Sequence, residues 1–151
     1  MLGGTGPDTD MVKKYIRDNH LSNIKLLGFV SDEELPDYYA LSDIFILPSK
    51  PGEGFPMVVL EAFASGLPVI GTNTGGQIEI IRDDQTGFIV EPNKPEQIAK
   101  KIEYLYENKK LLKEMSKNCR KLIIEKEFSW EKNVDKLLSV YQEVLKNATK
   151  K

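Results

Sequence analysis

Short apolar runs, each too brief to make a helix, alternate along this chain with stretches of helical periodicity, and that alternation limits the possible folds most. Ile24 to Phe29, Asp43 to Leu47, Pro68 to Gly71 and Gly87 to Val90 read as strands, with Gly28, Ser31, Pro48 and Ser49 among the residues that close them. Between them, Thr9 to Asp18 sets Met11, Val12, Tyr15 and Ile16 at helical spacing. Ser31 and Glu34 form a capping-box signature for a helix that Pro36 must kink or restart near Asp37. Pro56 to Ala64 is an apolar helix stopped by Gly66, and Gly75-Gly76 opens a short helix through Ile81. Asn93-Lys94-Pro95-Glu96 caps a helix with Ile98, Ile102 and Leu105 on one face, and two further helices finish the chain. Strands joined through helices by short turns predict an α/β architecture with a parallel, doubly wound sheet. Ligands of such a sheet sit at the carboxyl ends of its strands.

Composition sets the outer bounds. A chain of 151 residues, 40% hydrophobic and 29% charged, can bury the core of one globular domain. A formal net charge of -2 gives no broad basic footprint, so the expectation is no nucleic-acid partner, with any anionic ligand bound locally. The lone Cys119 and the absence of a charged-then-apolar leader favour a reducing, cytoplasmic compartment. No apolar run reaches the roughly 18 to 20 residues that span a bilayer, which leaves peripheral attachment at the inner face of a membrane open. Met1 and Leu2 run straight into Gly3-Gly4-Thr5-Gly6-Pro7, the pattern of a chain that starts in mid-fold with its first strand missing. From Ser129 onward, Trp130, Val134, Leu137, Leu138, Tyr141, Val144 and Leu145 make an apolar stripe on one long helix over 129–147. That stripe packs either on the domain's own sheet or on a second domain.

Between Gly54 and Ile78 the only ionisable side chain is Glu61, set among Met57, Val58, Val59, Leu60, Ala62 and Phe63. A helix apolar all round is expected to be buried, and a carboxylate inside it pays desolvation unless it is hydrogen-bonded or faces a cleft. Pro56 suits a first helical position, and Gly54 lets the backbone approach a ligand closely. The free amides that follow then make an anion site at the strand ends. Met57 and Glu61 share a helix face, so an anionic group on the amides leaves a hydroxylated neighbour within reach of Glu61. Diphosphate followed by ribose fits that order. Glu53, in the loop just before the helix, can accept hydrogen bonds from a sugar beyond the diphosphate.

The run from Glu53 through Gly54-Phe55-Pro56-Met57-Val58-Val59-Leu60 to Glu61, and on through Ala62-Phe63-Ala64-Ser65-Gly66-Leu67-Pro68-Val69-Ile70, resembles the E-x7-E segment of the family 4 (group 1) retaining glycosyltransferases. The likeness extends to Gly4-Thr5-Gly6-Pro7, Leu27-Gly28-Phe29-Val30, Asp43 to Ser49, Gly75-Gly76, Thr86-Gly87-Phe88 and Phe128-Ser129-Trp130. It implies the C-terminal, donor-binding half of a GT-B fold: a Rossmann-like parallel sheet flanked by helices, with residues 1–151 one nucleotide-sugar-binding domain. In the family the first Glu contacts hydroxyls of the transferred sugar, which gives Glu53 the catalytic position. The second holds the nucleotide ribose, here Glu61. Backbone just after the first Glu faces sugar and diphosphate, which implies Gly54, Phe55, Pro56, Met57 and Val58. The base lies near the segment after the strand ending at Leu27, which implies Gly28, Phe29 and Val30. The family's Arg and Lys on the diphosphate have no counterpart here, and its N-terminal acceptor domain, a partner of this half, is also without one. The resemblance implies a nucleoside diphosphate sugar as donor, no metal and no other cofactor, and an activity this chain alone does not complete.

Other features fit chemistry less well. Lys50 can approach a phosphate but reads equally as a solvated loop lysine, His20 as a helix-end residue, and Cys119 as a packing residue. G-x-G-x-x-G begun at Gly4 meets Thr9 where glycine is needed, and no P-loop motif is present. Two alternatives to a transferase part stay open: a non-catalytic nucleotide-binding fragment and a sugar-nucleotide epimerase-like domain.

Overall fold

The computed structural model describes residues 1–52, 54–126 and 128–148, residue 148 by its backbone only. Backbone contacts divide the chain into two compact units, Met1–Leu41 and Ser42–Lys151.

In the first unit β1 (Leu2–Gly3), α1 (Thr9–Asp18), β2 (Leu26–Gly28) and α2 (Leu35–Ala40) follow one another. β1 and β2 pair in parallel, Leu2 opposite Leu26 and Gly3 opposite Gly28. α1 occupies the span its periodicity predicts. The capping box forms: the Ser31 hydroxyl and Glu34 carboxylate meet at 3.0 Å, and each side chain accepts the other's backbone N–H at 3.3 Å. Pro36 does not kink α2. The helix starts one residue before it, so the proline sits in the first turn, where its missing N–H would have had no helical partner.

The second unit contains β3 (Phe45–Leu47), α3 (Met57–Ala64), β4 (Val69–Thr72), α4 (Gln77–Ile80), β5 (Gly87–Val90), α5 (Pro95–Glu107), α6 (Lys109–Glu125) and α7 (Trp130–Ala148). Its three strands run parallel in the order β3-β4-β5, with Phe45 opposite Val69 and Val69 opposite Gly87. The central strand β4 is buried at every residue, as a near-continuous apolar run in a covered parallel sheet requires. Ile70, Phe88 and Val90 from the sheet meet Leu105 of α5 and Leu112 and Met115 of α6 in one core cluster. Burial of each such side chain contributes roughly 1.5–3 kcal/mol.

α3 lies against α6 and β4 through one face only. Val59, Ala62 and Phe63 are fully buried, while Met57, Glu61 and Ala64 are exposed. The expectation of a helix buried all round is corrected here: α3 has an open side, and Glu61 lies on it. α7 overturns a second reading, that its stripe covers its own sheet. Trp130 is 74% exposed, and Val134, Leu137, Leu138, Tyr141, Val144 and Leu145 are each about half exposed or more. The sheet core is closed by α5 and α6 without it.

Candidate functional site

The site grows from the β3–α3 connection. Pro56 takes an extended conformation (φ -81°, ψ 103°) and stands at the N-cap of α3 rather than at its first helical position. Proline offers no side-chain oxygen, so α3 has no side-chain cap. The amides of Met57 and Val58 are thereby available to a ligand, at the positive end of the helix dipole. A cleft of about 250 Å³ opens at this point, lined by Leu47, Gly54, Phe55, Pro56, Met57 and Val58. Five of those six are the backbone positions expected to face the diphosphate and sugar. The sixth, Leu47, is the last residue of β3, and the location of the cleft at a strand's carboxyl end follows the rule for parallel sheets.

Glu61 sits one turn into α3 on the open side shared with Met57, outside the cleft lining. Exposure removes the desolvation argument for its presence; its place four residues after Met57, which lines the cleft, remains. Glu53 lies outside the described residues. Gly28, Phe29 and Val30 belong to the first unit, where Gly28 ends β2 in a left-handed conformation (φ +71°) and Phe29 is 79% exposed.

Among the described residues the loop is held by contacts with Gly76 and Phe128, both within stretches the resemblance names but neither linked there to the loop. The Gly76 N–H donates to the Gly54 carbonyl at 3.1 Å. A side-chain carbon on Gly76 would meet the Phe55 Cα and ring at 3.1 Å, so a larger residue there would push the Phe55 loop back by a few tenths of an ångström. On the other side the Phe55 ring lies 6.5 Å from that of Phe128, tilted by 48°. Gly76 in turn leads into α4, whose Gln77 is buried. Its Oε1 accepts from the Thr72 N–H at 3.1 Å, and its amide nitrogen is 3.4 Å from the Thr72 hydroxyl.

Lys50 lies elsewhere. It lines a second cleft of about 190 Å³ with Ser49, Thr72, Glu91, Asn93 and Lys94 among others, rather than the one at α3. There Thr72 Oγ1 donates to the Ser49 carbonyl at 2.8 Å, whereas the buried Ser49 hydroxyl has no partner among the described residues. Cys119 is fully buried, its thiol 3.4 Å from the Thr86 carbonyl, and burial pushes its pKa up to about 12. A thiol held protonated is a packing group and not a nucleophile. His20 follows the C-cap of α1 at the surface in a left-handed conformation. Among the described residues no three His, Cys, Asp or Glu side chains gather where a metal ion could be held, and no helix is long and apolar enough to cross a membrane.

Comparison with known proteins shows the family and the fold. The sequence model of the family described as glycosyl transferases group 1 matches residues 1–122. An uncharacterized glycosyltransferase of Methanocaldococcus jannaschii is 36% identical over 143 residues, which is 95% of this chain and 40% of that protein. Other curated relatives are matched over about two-fifths of their length or less. Among solved structures, the C-terminal domain of a glycosyl transferase group 1 family protein from Francisella tularensis superposes with a TM-score of 0.72 at 35% identity, over 81% of this chain and 65% of that one. A TarM variant from S. aureus, crystallised with UDP, alpha-GlcNAc-glycerol and fondaparinux, superposes with a TM-score of 0.80 at 27% identity, over 92% of this chain and 28% of that one.

Proposed function

This chain belongs to the group 1 glycosyl transferases, and from that premise we propose that it forms the donor-nucleotide site of an enzyme that transfers a sugar from a nucleoside diphosphate sugar to an acceptor with retention. The observation that carries the reading is the uncapped start of α3, whose first amides line a cleft at a strand end. An anionic diphosphate fits a helix N-terminus to which the N-cap residue Pro56 offers no side-chain cap. The UDP-bound TarM structure, similar over most of this chain, supports a nucleotide as occupant.

In this reading the amides of Met57 and Val58 hold the diphosphate, Glu61 accepts hydrogen bonds from the ribose hydroxyls, and Glu53 accepts them from the transferred sugar. Catalysis then rests on positioning and on stabilising negative charge as the diphosphate departs. Amide donors fixed by a helix need no reorganisation at that moment, and loss of one such donor typically costs about 10²–10³ in rate.

Calorimetric titration of the folded chain with UDP, GDP, ADP and their sugars tests the proposal. One nucleotide diphosphate should bind, and Glu61→Ala should weaken it roughly ten- to a hundredfold, the loss of charge-assisted hydrogen bonds. Glu53→Ala should weaken the sugar nucleotide more than the bare nucleotide. A folded sample that binds none of them would sink the reading.

A further inference from the structure

The ring pair between Phe55 and Phe128 reaches from the donor loop to a distant part of the chain. Phe128 stands at the corner between α6 and α7. Its N–H donates to the Ile123 carbonyl at 3.3 Å, which fixes it to the end of α6. α6 is itself anchored through buried Leu112, Met115, Cys119 and Leu122. The next residue, Ser129, caps α7: its hydroxyl accepts the Lys132 N–H at 3.3 Å, and its carbonyl accepts the Asn133 N–H at 3.1 Å. Phe128 is therefore held by its backbone between two helices while its half-buried ring touches Phe55.

Phe55 is 46% exposed and belongs to the loop that leads into α3. Besides its ring contact, the clamp on this turn is the Gly76 N–H on the Gly54 carbonyl and the close approach of Gly76 to the Phe55 backbone. Gly76 fixes the peptide; Phe128 fixes the ring. Both restraints act directly before the amides of Met57 and Val58, whose direction a ligand would read.

We propose that Phe128 is a positioning residue of the nucleotide site: its ring sets Phe55, and through it the aim of the α3 amides, and so ties the donor loop to the start of α7. The functional half of this statement rests on the donor-site reading above. The structural half, that Phe128 sets the loop, stands on the ring contact. A displacement of α7 would reach the cleft through this pair. Aromatic pairs at such separations contribute enough for their loss to weaken a coupled ligand by roughly two- to tenfold.

The full chain tests this in three variants, Phe128→Ala, Phe128→Leu and Phe128→Tyr, by amide resonances in nitrogen-15 spectra and by calorimetric titration with UDP, GDP and ADP. Leu keeps bulk without a ring, and Tyr keeps the ring. The expected result is that Ala and Leu move the amide resonances of Gly54, Phe55, Met57 and Val58 and leave those of Phe88 and Ile89 in β5 in place. The nucleotide that binds the native chain then weakens by roughly two- to tenfold, and Tyr restores both readouts. Unmoved loop amides with native affinity in Phe128→Leu overturn the proposal, as do shifts spread equally over β5 that Tyr does not reverse. If the native chain binds none of the three nucleotides, the donor-site reading falls, and the loop amides alone decide whether Phe128 sets the loop.

Discussion

At the scale of single residues, two titratable groups, Glu61 and Cys119, end in opposite surroundings. Glu61, expected inside an apolar helix, is on the open side of α3; Cys119, on a lysine-rich amphipathic helix, is fully buried. The thiol has a consequence for stability. Burial raises its pKa from 9.0 to about 12, so across that window the unfolded chain releases a proton that the native chain retains. The native state thus binds more protons, and stability falls as pH rises, by up to about 1.4 kcal/mol per pH unit from this group. Well below pH 9 the thiol is protonated in both states and adds no slope. Urea unfolding of the native chain and of Cys119→Ala, compared near pH 8 and about 10, should show the native chain's advantage shrinking by roughly 1 kcal/mol. An unchanged difference would mean that the thiol is not held neutral. A thiol reagent should leave Cys119 untouched until the protein unfolds.

At the scale of elements, strand β5 depends on one glycine. Gly87 has φ +155°, and a side-chain carbon there would fall onto the backbone of Val69, its partner in β4. Gly87→Ala should destabilise the protein by about 3 kcal/mol or more, through strain and disrupted pairing at the edge of the core cluster. Denaturant unfolding checks it, and a loss below about 1 kcal/mol would mean that the strand shifts freely. The helices and most strands were legible from periodicity and turn residues: α1 and β5 occupy their predicted spans, and β2, β3, α3, β4, α4 and α7 differ from theirs by one or two residues at their ends, whereas the two-residue β1 was not foreseen and α2 starts at Leu35, four residues after Ser31. Orientation was less legible. For α3 a run of apolar residues could not say which face would be covered, because Met57 and Ala64 are apolar yet exposed, while Ala62 is apolar and buried. For α7 the stripe was legible and its cover was not, because amphipathicity fixes a face and leaves the occupant unspecified.

At the scale of the whole molecule, stability is distributed unequally. Among the described residues of 1–41, Tyr39 alone is buried, whereas the second unit holds the core cluster and the buried face of α3. A segment of about 40 residues with so little core is below the size that folds unaided. Residues 42–151 produced alone should keep a cooperative thermal transition, and residues 1–41 alone should show none; circular dichroism distinguishes the two. A non-cooperative 42–151 would mean that the first unit completes the core. The family, the parallel α/β plan and the stretch from Gly54 to Val58 were determined by the sequence itself, since they rest on residue identity at fixed spacing: glycine where backbones close up, proline where a helix starts uncapped, and short apolar runs between helices. Only the tertiary structure decided that Leu47 joins that stretch in one cleft, that Lys50 belongs to another, and that Phe128 lies on Phe55 across 73 residues of chain. Those contacts depend on how helices settle on a sheet once side chains compete for the same space, and spacing along the chain does not encode that competition.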